Sequence, residues 1–238
     1  MELKIFNLNC WLLPVPFSSE NKKRIKGIME FIKKQNPDIM TLQEVWLKKD
    51  VRNFKKIFPN YKFFHSNSKL FNKSGLLFGI KWNPKSFSQS YFKITSTHSK
   101  RERIGLKGYQ VVEISPGVFV INTQLYAPEA PNEMKITLLQ FEEIQRITLG
   151  RKAILSGDLN LEEDEFLNSN RVFYYKSPLG FTIARKNKYC HAVFNKFSHA
   201  DKTIDYIVSN DKSLAVNPKI FNPVTVSDHY PLSGTFEF

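Results

Sequence analysis

Ala153-Ile154-Leu155-Ser156-Gly157-Asp158-Leu159-Asn160 is the stretch on which the fold turns. A short apolar run halts at a glycine and then presents a carboxylate and an amide. Such a run suits a buried strand, and the glycine lets backbone or ligand approach the strand's carboxyl end. Open α/β sheets place their sites at that edge. The same residues also describe a strand followed by an Asx turn, so the other strands have to decide.

Working outward, residues 3–10 read as an inner strand, followed by a loop holding Pro14 and Pro16, with Ser18 or Ser19 placed to cap a helix. Ile25, Ile28, Met29, Phe31 and Ile32 recur at helical spacing among lysines, which predicts that amphipathic helix over 21–35, stopped by Asn36-Pro37. Residues 39–45 form a second buried strand and complete a βαβ-like unit. A helix over 47–58, strands over 61–64, 75–82 and 87–92, and a polar, basic loop over 96–107 come next. Ser115-Pro116-Gly117 turns 109–114 back on 118–124 as an antiparallel hairpin. The strongest helix is 133–149, with Met134, Leu138, Leu139, Phe141, Ile144 and Ile147 along one side; strands over 189–194, 204–208 and 232–238 finish the chain. Hairpins mixed with crossovers predict a two-sheet α/β sandwich with outer helices, formed as a single domain over 1–238.

Bulk properties narrow the class. A chain of 238 residues with 42% hydrophobic content and 21 phenylalanines can bury a large core. No apolar stretch reaches the roughly 18 residues of a membrane span, and the first ten residues lack a signal peptide's pattern. The sequence thus predicts a cytoplasmic monomer, with export by a specialised route left open. Cys10 and Cys190, far apart and each in apolar context, suit buried thiols better than a disulfide framework or a cysteine metal site. The formal charge of +13 favours polyanions, anionic membrane surfaces or phosphorylated substrates, although the lysines are scattered along the chain.

Five polar sites at strand ends share compatible chemistry: residues 7–9, Gln43-Glu44, residues 158–160, Asp205 and Asp228-His229. Each alone is also an ordinary turn or strand-edge residue. Carboxylates and amides with one histidine suit a hard, oxygen-preferring cation such as magnesium, with manganese as its replacement. Hydrolysis of a phosphodiester needs an activated water, neutralised phosphate oxygens and a stabilised leaving group. Glu44 would hold the cation, Asp158 would orient and deprotonate the water, Asn9 and Asn160 would donate to phosphate oxygens, and His229 would act as proton donor with Asp205 behind it.

Asn7-Leu8-Asn9-Cys10-Trp11, Leu42-Gln43-Glu44-Val45-Trp46, Ser156-Gly157-Asp158-Leu159-Asn160, Ile204-Asp205-Tyr206-Ile207 and Ser227-Asp228-His229 resemble, in this order, the endonuclease/exonuclease/phosphatase superfamily. Trp11, Trp46 and Asn122-Thr123-Gln124-Leu125-Tyr126-Ala127 look most like its neutral sphingomyelinase branch, with Lys107-Gly108 a weaker match. The resemblance implies a four-layer α/β sandwich, two mixed sheets flanked by helices. It implies a magnesium-dependent phosphodiester hydrolase with Glu44, Asp228 and Asn9 at the metal, Asp158, Asn160, Asp205, His229 and Asn9 in catalysis, and Gln124, Tyr126 and Lys107 on the substrate side. The expected substrate is a sphingomyelin-type phospholipid, reached through peripheral contact with an anionic membrane. The alternatives are a DNA or RNA nuclease, with Lys100, Arg101, Arg103 and Lys107 as a phosphate rim, and a catalytically weak or dead interaction protein. One departure stands out: Gln124 occupies the place of a branch histidine, and an amide donates a hydrogen bond but carries no charge.

Overall fold

In the first strand, β1 (Glu2–Leu12), residues of one parity and the other go to different places. Phe6, Leu8 and Cys10 join one apolar cluster, whereas Leu3 and Ile5 join another, as period-two alternation requires of a strand buried on both faces. The computed structural model describes residues 2–66, 68, 71–95, 105–191 and 201–237. Helices α1 (Asn21–Gln35), α2 (Lys48–Ile57), α3 (Met134–Thr148) and α4 (Glu163–Ser169) accompany the strands β2 (Ile39–Val45), β3 (Lys62–Phe64), β4 (Leu77–Ile80), β5 (Ser86–Tyr91), β6 (Gly108–Ser115), β7 (Val118–Gln124), β8 (Lys152–Asp158), β9 (Asp205–Ser209), β10 (Asn217–Ile220) and β11 (Leu232–Glu237).

Two sheets result, ordered β10-β11-β1-β2-β4-β3 and β5-β6-β7-β8-β9. Each is mixed: β1/β2 and β7/β8 run parallel, and the other pairs are antiparallel. Leu3, Ile5, Ile39 and Phe78 of the first sheet pack against Val112, Val120, Ile154 and Ile207 of the second. Ile28, Ile32 and Phe54 of α1 and α2 cover the outer face of the first sheet, on Phe6, Leu8 and Leu42. Phe141, Ile144 and Phe166 of α3 and α4 cover the second, on Ile121, Leu155 and Val208. The layers run helix, sheet, sheet, helix, the expected four-layer sandwich, and each such buried side chain contributes about 1.5–3 kcal/mol.

The interior between the sheets changes character along every central strand. On β1 the inward residues pass from Leu3 and Ile5 to Asn7 and Asn9; on β2 from Ile39 to Thr41 and Gln43; on β7 from Val118 and Val120 to Asn122 and Gln124; on β8 from Ile154 to Ser156 and Asp158. These polar groups bond to one another across the sandwich. Thr41 and Ser156 hydroxyls lie 2.6 Å apart, Gln43 Nε2 donates to Asn7 Oδ1 (2.9 Å) and Asn122 Oδ1 (2.8 Å), and Asn122 Nδ2 donates to Gln110 Oε1 (2.9 Å). Pairing of this kind is what makes their burial tolerable.

Several expectations need correction. Neither Ser18 nor Ser19 caps α1: Glu20, in left-handed conformation, precedes it, and Ser18 Oγ donates to Asn21 Oδ1 and Leu13 O. The face of α3 is rotated from the one its apolar residues suggest. Leu138 is exposed while Thr137, Gln140, Gln145 and Thr148 are buried, because Gln140 accepts from Tyr126 N and Gln145 accepts from Arg171 N, tying the helix to neighbouring loops. Residues 188–191 form a single 3-10 turn rather than the start of a strand, and 192–194 lie outside the described residues. Most of the basic loop, 96–104, also lies outside them, with Lys100, Arg101 and Arg103. Helix α4 and strand β10, an edge strand containing Pro218, are additional elements.

Gly157 faces Thr123 in the parallel β7/β8 pair, and a Cβ there would sit 2.1 Å from Thr123 O. Gly157→Ala is therefore expected to cost at least about 2 kcal/mol, read as a lower urea midpoint with unchanged slope; a midpoint equal to wild type would show that the strands part freely.

Candidate active site

Strand direction and register build the site before any side chain is considered. β1, β2, β7 and β8 run the same way within their parallel pairs, so their carboxyl ends share an edge. β9 is antiparallel to β8, which returns its first residue, Asp205, to that edge opposite Asp158. Gln124, Asp158 and Asp205 thus stand in one row across the second sheet. In the same way β11 is antiparallel to β1, and the loop entering it carries Asp228 and His229. The last two sites are strand beginnings, not ends.

Glu44 should by alternation follow Met40 and Leu42 onto the helix face. It sits instead at φ 56°, and Trp11 at φ 47°, where the β1/β2 register slips between Asn9↔Gln43 and Leu12↔Val45. The bulge swings Glu44 inward and costs about 1–2 kcal/mol per left-handed residue.

There two amides bridge two carboxylates. Asn9 Nδ2 donates to Glu44 Oε1 (3.1 Å) and Asp158 Oδ2 (2.9 Å), and Gln124 Nε2 donates to the same two oxygens at 2.8 and 3.1 Å. Asn9 and Glu44 belong to one sheet, Gln124 and Asp158 to the other. Beside them His229 Nδ1 lies 2.7 Å from Asp205 Oδ2, both side chains buried. Burial opposes charge on His229, but Asp205 and Asp228 overcome it and raise its pKa well above the usual histidine value. Burial likewise raises Asp158, against His229 and, more weakly, Lys107 and the Asn9 amide. Asp228, held by the Ser227 hydroxyl at 3.0 Å, is raised by burial and lowered by His229.

Residues that sequence reasoning passed over hold this edge in place. Arg24 of α1 is 1% exposed and donates to Cys10 O (2.7 Å), Trp11 O (2.6 Å), Ser19 O (2.8 Å) and Asn21 Oδ1 (2.6 Å), clamping the bulge, with Trp11 stacked on it. Asn187 Nδ2 donates to Ser227 O and Asp228 O, fixing the loop that carries His229. Trp46 packs on Gly75 and Gly105, where a Cβ would meet its ring at 2.9 Å. Trp11 and Trp46 thus brace the strand ends bearing Asn9 and Glu44. The arginine is one cation among many in an amphipathic helix, so nothing in the sequence sets it apart.

With this arrangement in view, comparison with known proteins is informative. The model of the Endonuclease/Exonuclease/phosphatase family matches residues 7–229. The chain belongs to that family. Human sphingomyelin phosphodiesterase 2 is 33% identical over 95 residues, 40% of this chain and 22% of that protein, so the match spans about a fifth of the relative's length. Among solved structures, sphingomyelinase C from Streptomyces griseocarneus superposes with a TM-score of 0.81 at 15% identity, covering 100% of both chains. A zebrafish (D. rerio) TDP2 complexed with single-strand DNA product gives 0.75 at 17%, covering 100% and 99%. A mutant of beta toxin from Staphylococcus aureus with bound magnesium ions gives 0.76 at 18%, covering 100% of both. At these identities the structural likeness is one of fold.

Within the family fold, most residues expected at the site converge, Asn160 is held there by backbone contacts, and Tyr126 is engaged elsewhere. Asn9, Glu44, Gln124, Asp158, Asp205, Asp228 and His229 meet as described, and Lys107, 7% exposed, is close enough for its charge to act on Asp158. Asn160, at φ 49°, donates its backbone N–H to Asp158 Oδ1 (3.1 Å) and one amide hydrogen to Leu125 O (3.0 Å). Tyr126 is buried with its hydroxyl on Glu133 (2.7 Å) and its N–H on Gln140, which ties it to the start of α3 rather than to a substrate. Asn7 and Gln43 lie deeper, in the hydrogen-bonded seam. Among the described residues no three His, Cys, Asp or Glu side chains are grouped as a metal site.

A raised histidine pKa stabilises the fold fully below the unfolded value, near 6.5, and that contribution fades as pH rises through the folded value. His229 is therefore expected to stay protonated at neutral pH in an NMR titration, and Asp205→Asn to lower its midpoint by at least about one unit, leaving burial to dominate. An unchanged midpoint would remove Asp205 as the cause.

Proposed function

We propose that the chain is a metal-dependent phosphodiester hydrolase acting on a phospholipid headgroup of the sphingomyelin type. The observation that carries the hydrolytic half is the Asn9 and Gln124 bridge between Glu44 and Asp158, set beside the Asp205–His229 pair. The substrate half is supported by the relatives' names and by two loops leaving the same edge. Val15 (76% exposed) and Phe17 follow β1, while Leu179 (92% exposed) and Phe181 precede Thr182, whose hydroxyl accepts from Asp205 N and whose carbonyl accepts from Tyr230 N. Exposed apolar tips on a cationic protein suit a peripheral approach to lipid.

The donor set fits a hard divalent cation, magnesium first and manganese as its replacement. Glu44 Oε2 and Gln124 Oε1 are buried oxygens without a hydrogen-bond partner among the described residues, and magnesium uses one or two carboxylates while keeping several waters. Glu44 would hold it, with Asp228 close enough for the two acids to repel; a cation held there would supply neutralisation of the charge building on the phosphate oxygens.

The protein's own groups supply the rest. Asp158, made more basic by burial, takes a proton from the attacking water as its oxygen bonds to phosphorus. The second amide hydrogen of Asn160 and the ammonium of Lys107 bind non-bridging oxygens. His229, its Nδ1 proton held by Asp205, gives its Nε2 proton to the lipid alcohol as the P–O bond breaks. A free alcohol and a phosphomonoester leave, and the proton taken up by Asp158 passes through water to the imidazole, restoring both groups.

Purified protein with magnesium, assayed against sphingomyelin vesicles, phosphoinositides, duplex DNA and single-stranded RNA with EDTA controls, is expected to turn over the lipid alone. Nucleic-acid cleavage without lipid turnover would move the reading to a nuclease, and no metal-dependent turnover would overturn it. Asp158→Asn should lower kcat by about 10²–10⁴ with the thermal midpoint retained; loss below tenfold removes Asp158 as the base. Gln124→His should raise sphingomyelin turnover by about tenfold if a cationic donor serves the transition state better, and an unchanged rate argues that the neutral amide suffices.

A further inference from the structure

Lys48 and Lys55 lie seven residues apart on α2, two turns of helix, and both reach His65 just beyond β3. Lys48 Nζ is 3.0 Å from Nδ1 and Lys55 Nζ is 3.1 Å from Nε2. A neutral imidazole has one N–H and one acceptor. With Nδ1–H and Lys48 both donating to Ser66 O, at 2.9 and 2.5 Å, and Lys55 donating to Nε2, the Lys48 approach to Nδ1 is left as two donors side by side. Neither lysine takes part in an ion pair among the described residues. The groups work against each other: burial and then Lys55 lower the pKa of Lys48, while burial and then the two lysines lower that of His65 against the pull of the Ser66 carbonyl. Like charges converge here with no ion-pair partner among the described residues.

Lys55, His65 and Ser66 of this cluster line a groove of about 490 Å³. Its walls come from β3 and β5, the edge strands of the two sheets, through Phe63 and Phe64 on one side and Phe87 and Tyr91 on the other, with Phe64 and Phe87 rings 4.7 Å apart. The acids stand on β2 and β8; β4 separates β3 from β2, so the groove lies about 10 Å across the sheet from Glu44's strand. Uncompensated cations call for an anion, and flat aromatic walls call for a ring.

We propose that the groove is a second binding site, for a phosphate ester carrying a flat ring: a nucleoside monophosphate unit, free or at the end of a strand. Its phosphate rests on Lys55 and His65 with Lys48 behind, and its ring lies against Phe87 and Tyr91. The site is independent of the reaction proposed above. It neutralises the lysine pair and covers aromatic surface that the edge strands leave open.

Calorimetric titration of the metal-free protein with AMP, adenosine, ribose 5-phosphate and a short single-stranded oligonucleotide tests it. Saturable 1:1 binding of AMP is expected, with adenosine and ribose 5-phosphate each weaker by at least about tenfold. Lys55 is exposed, so Lys55→Glu should keep the thermal midpoint while weakening AMP at least tenfold, and Lys48→Gln should weaken it less. An oligonucleotide that competes with AMP and loses affinity in Lys55→Glu makes a strand end the source; AMP binding alone makes it a free nucleotide. Absence of saturable AMP binding, ribose 5-phosphate binding as tightly as AMP, or affinity untouched by Lys55→Glu but lost in Asp158→Ala would each overturn the proposal, the last by placing the nucleotide among the acids.

Discussion

Two carboxylate oxygens, one from each sheet, share the same two amide nitrogens. Glu44 and Asp158 are brought together at a buried edge where two negative charges would otherwise repel, and Asn9 and Gln124 each satisfy both. The arrangement exists only if the sheets keep their spacing and offset, since each bond tolerates a few tenths of an ångström. The packing below and the clamps around the edge can be understood as meeting that requirement. Three buried aspartates and Glu44, set against one imidazolium, Lys107 and one fully buried guanidinium, leave the edge with an excess of acid, which is where perturbed pKa values are expected.

Much of this is legible in the sequence because the strands are short, apolar and closed by polar residues, and because the helices between them carry clear periodicity. Order and direction come from the hairpin at Ser115-Pro116-Gly117 and the crossovers through α1 and α3. The four-layer packing emerges once both faces of β1 and β2 are counted as buried. The depth of the polar interior is less visible. Asn7, Thr41, Asn122 and Ser156 each sit two residues before a site residue or its neighbour, and that paired spacing in four strands is the available signal. It reads as strand-edge polarity unless the strands are already known to face one another.

Other features are not written locally. Glu44 turns inward only because the backbone goes left-handed at a bulge, and Glu is not a residue that advertises such a conformation. Arg24 is fixed by carbonyls of the bulge, a loop carbonyl and the Asn21 side chain, none of which a helical pattern reveals. The buried face of α3 departs from its apolar residues because Gln140 and Gln145 are held by bonds to loops, a tertiary demand that overrides hydrophobic periodicity. Tyr126 is placed near the substrate by its neighbours in sequence, while in the fold Glu133 takes its hydroxyl.

The seam from Gln110 through Asn122 and Gln43 to Asn7, Thr41 and Ser156 has a mechanical meaning. Apolar surfaces slide, because dispersion is nearly indifferent to direction, whereas amides pinned to one another do not. The sandwich is therefore greased at one end and dowelled at the other, and thermal motion between its halves should pivot about the dowelled end. Catalytic groups placed there would feel the least of that motion, a form of rigidity supplied by side chains that never meet a substrate.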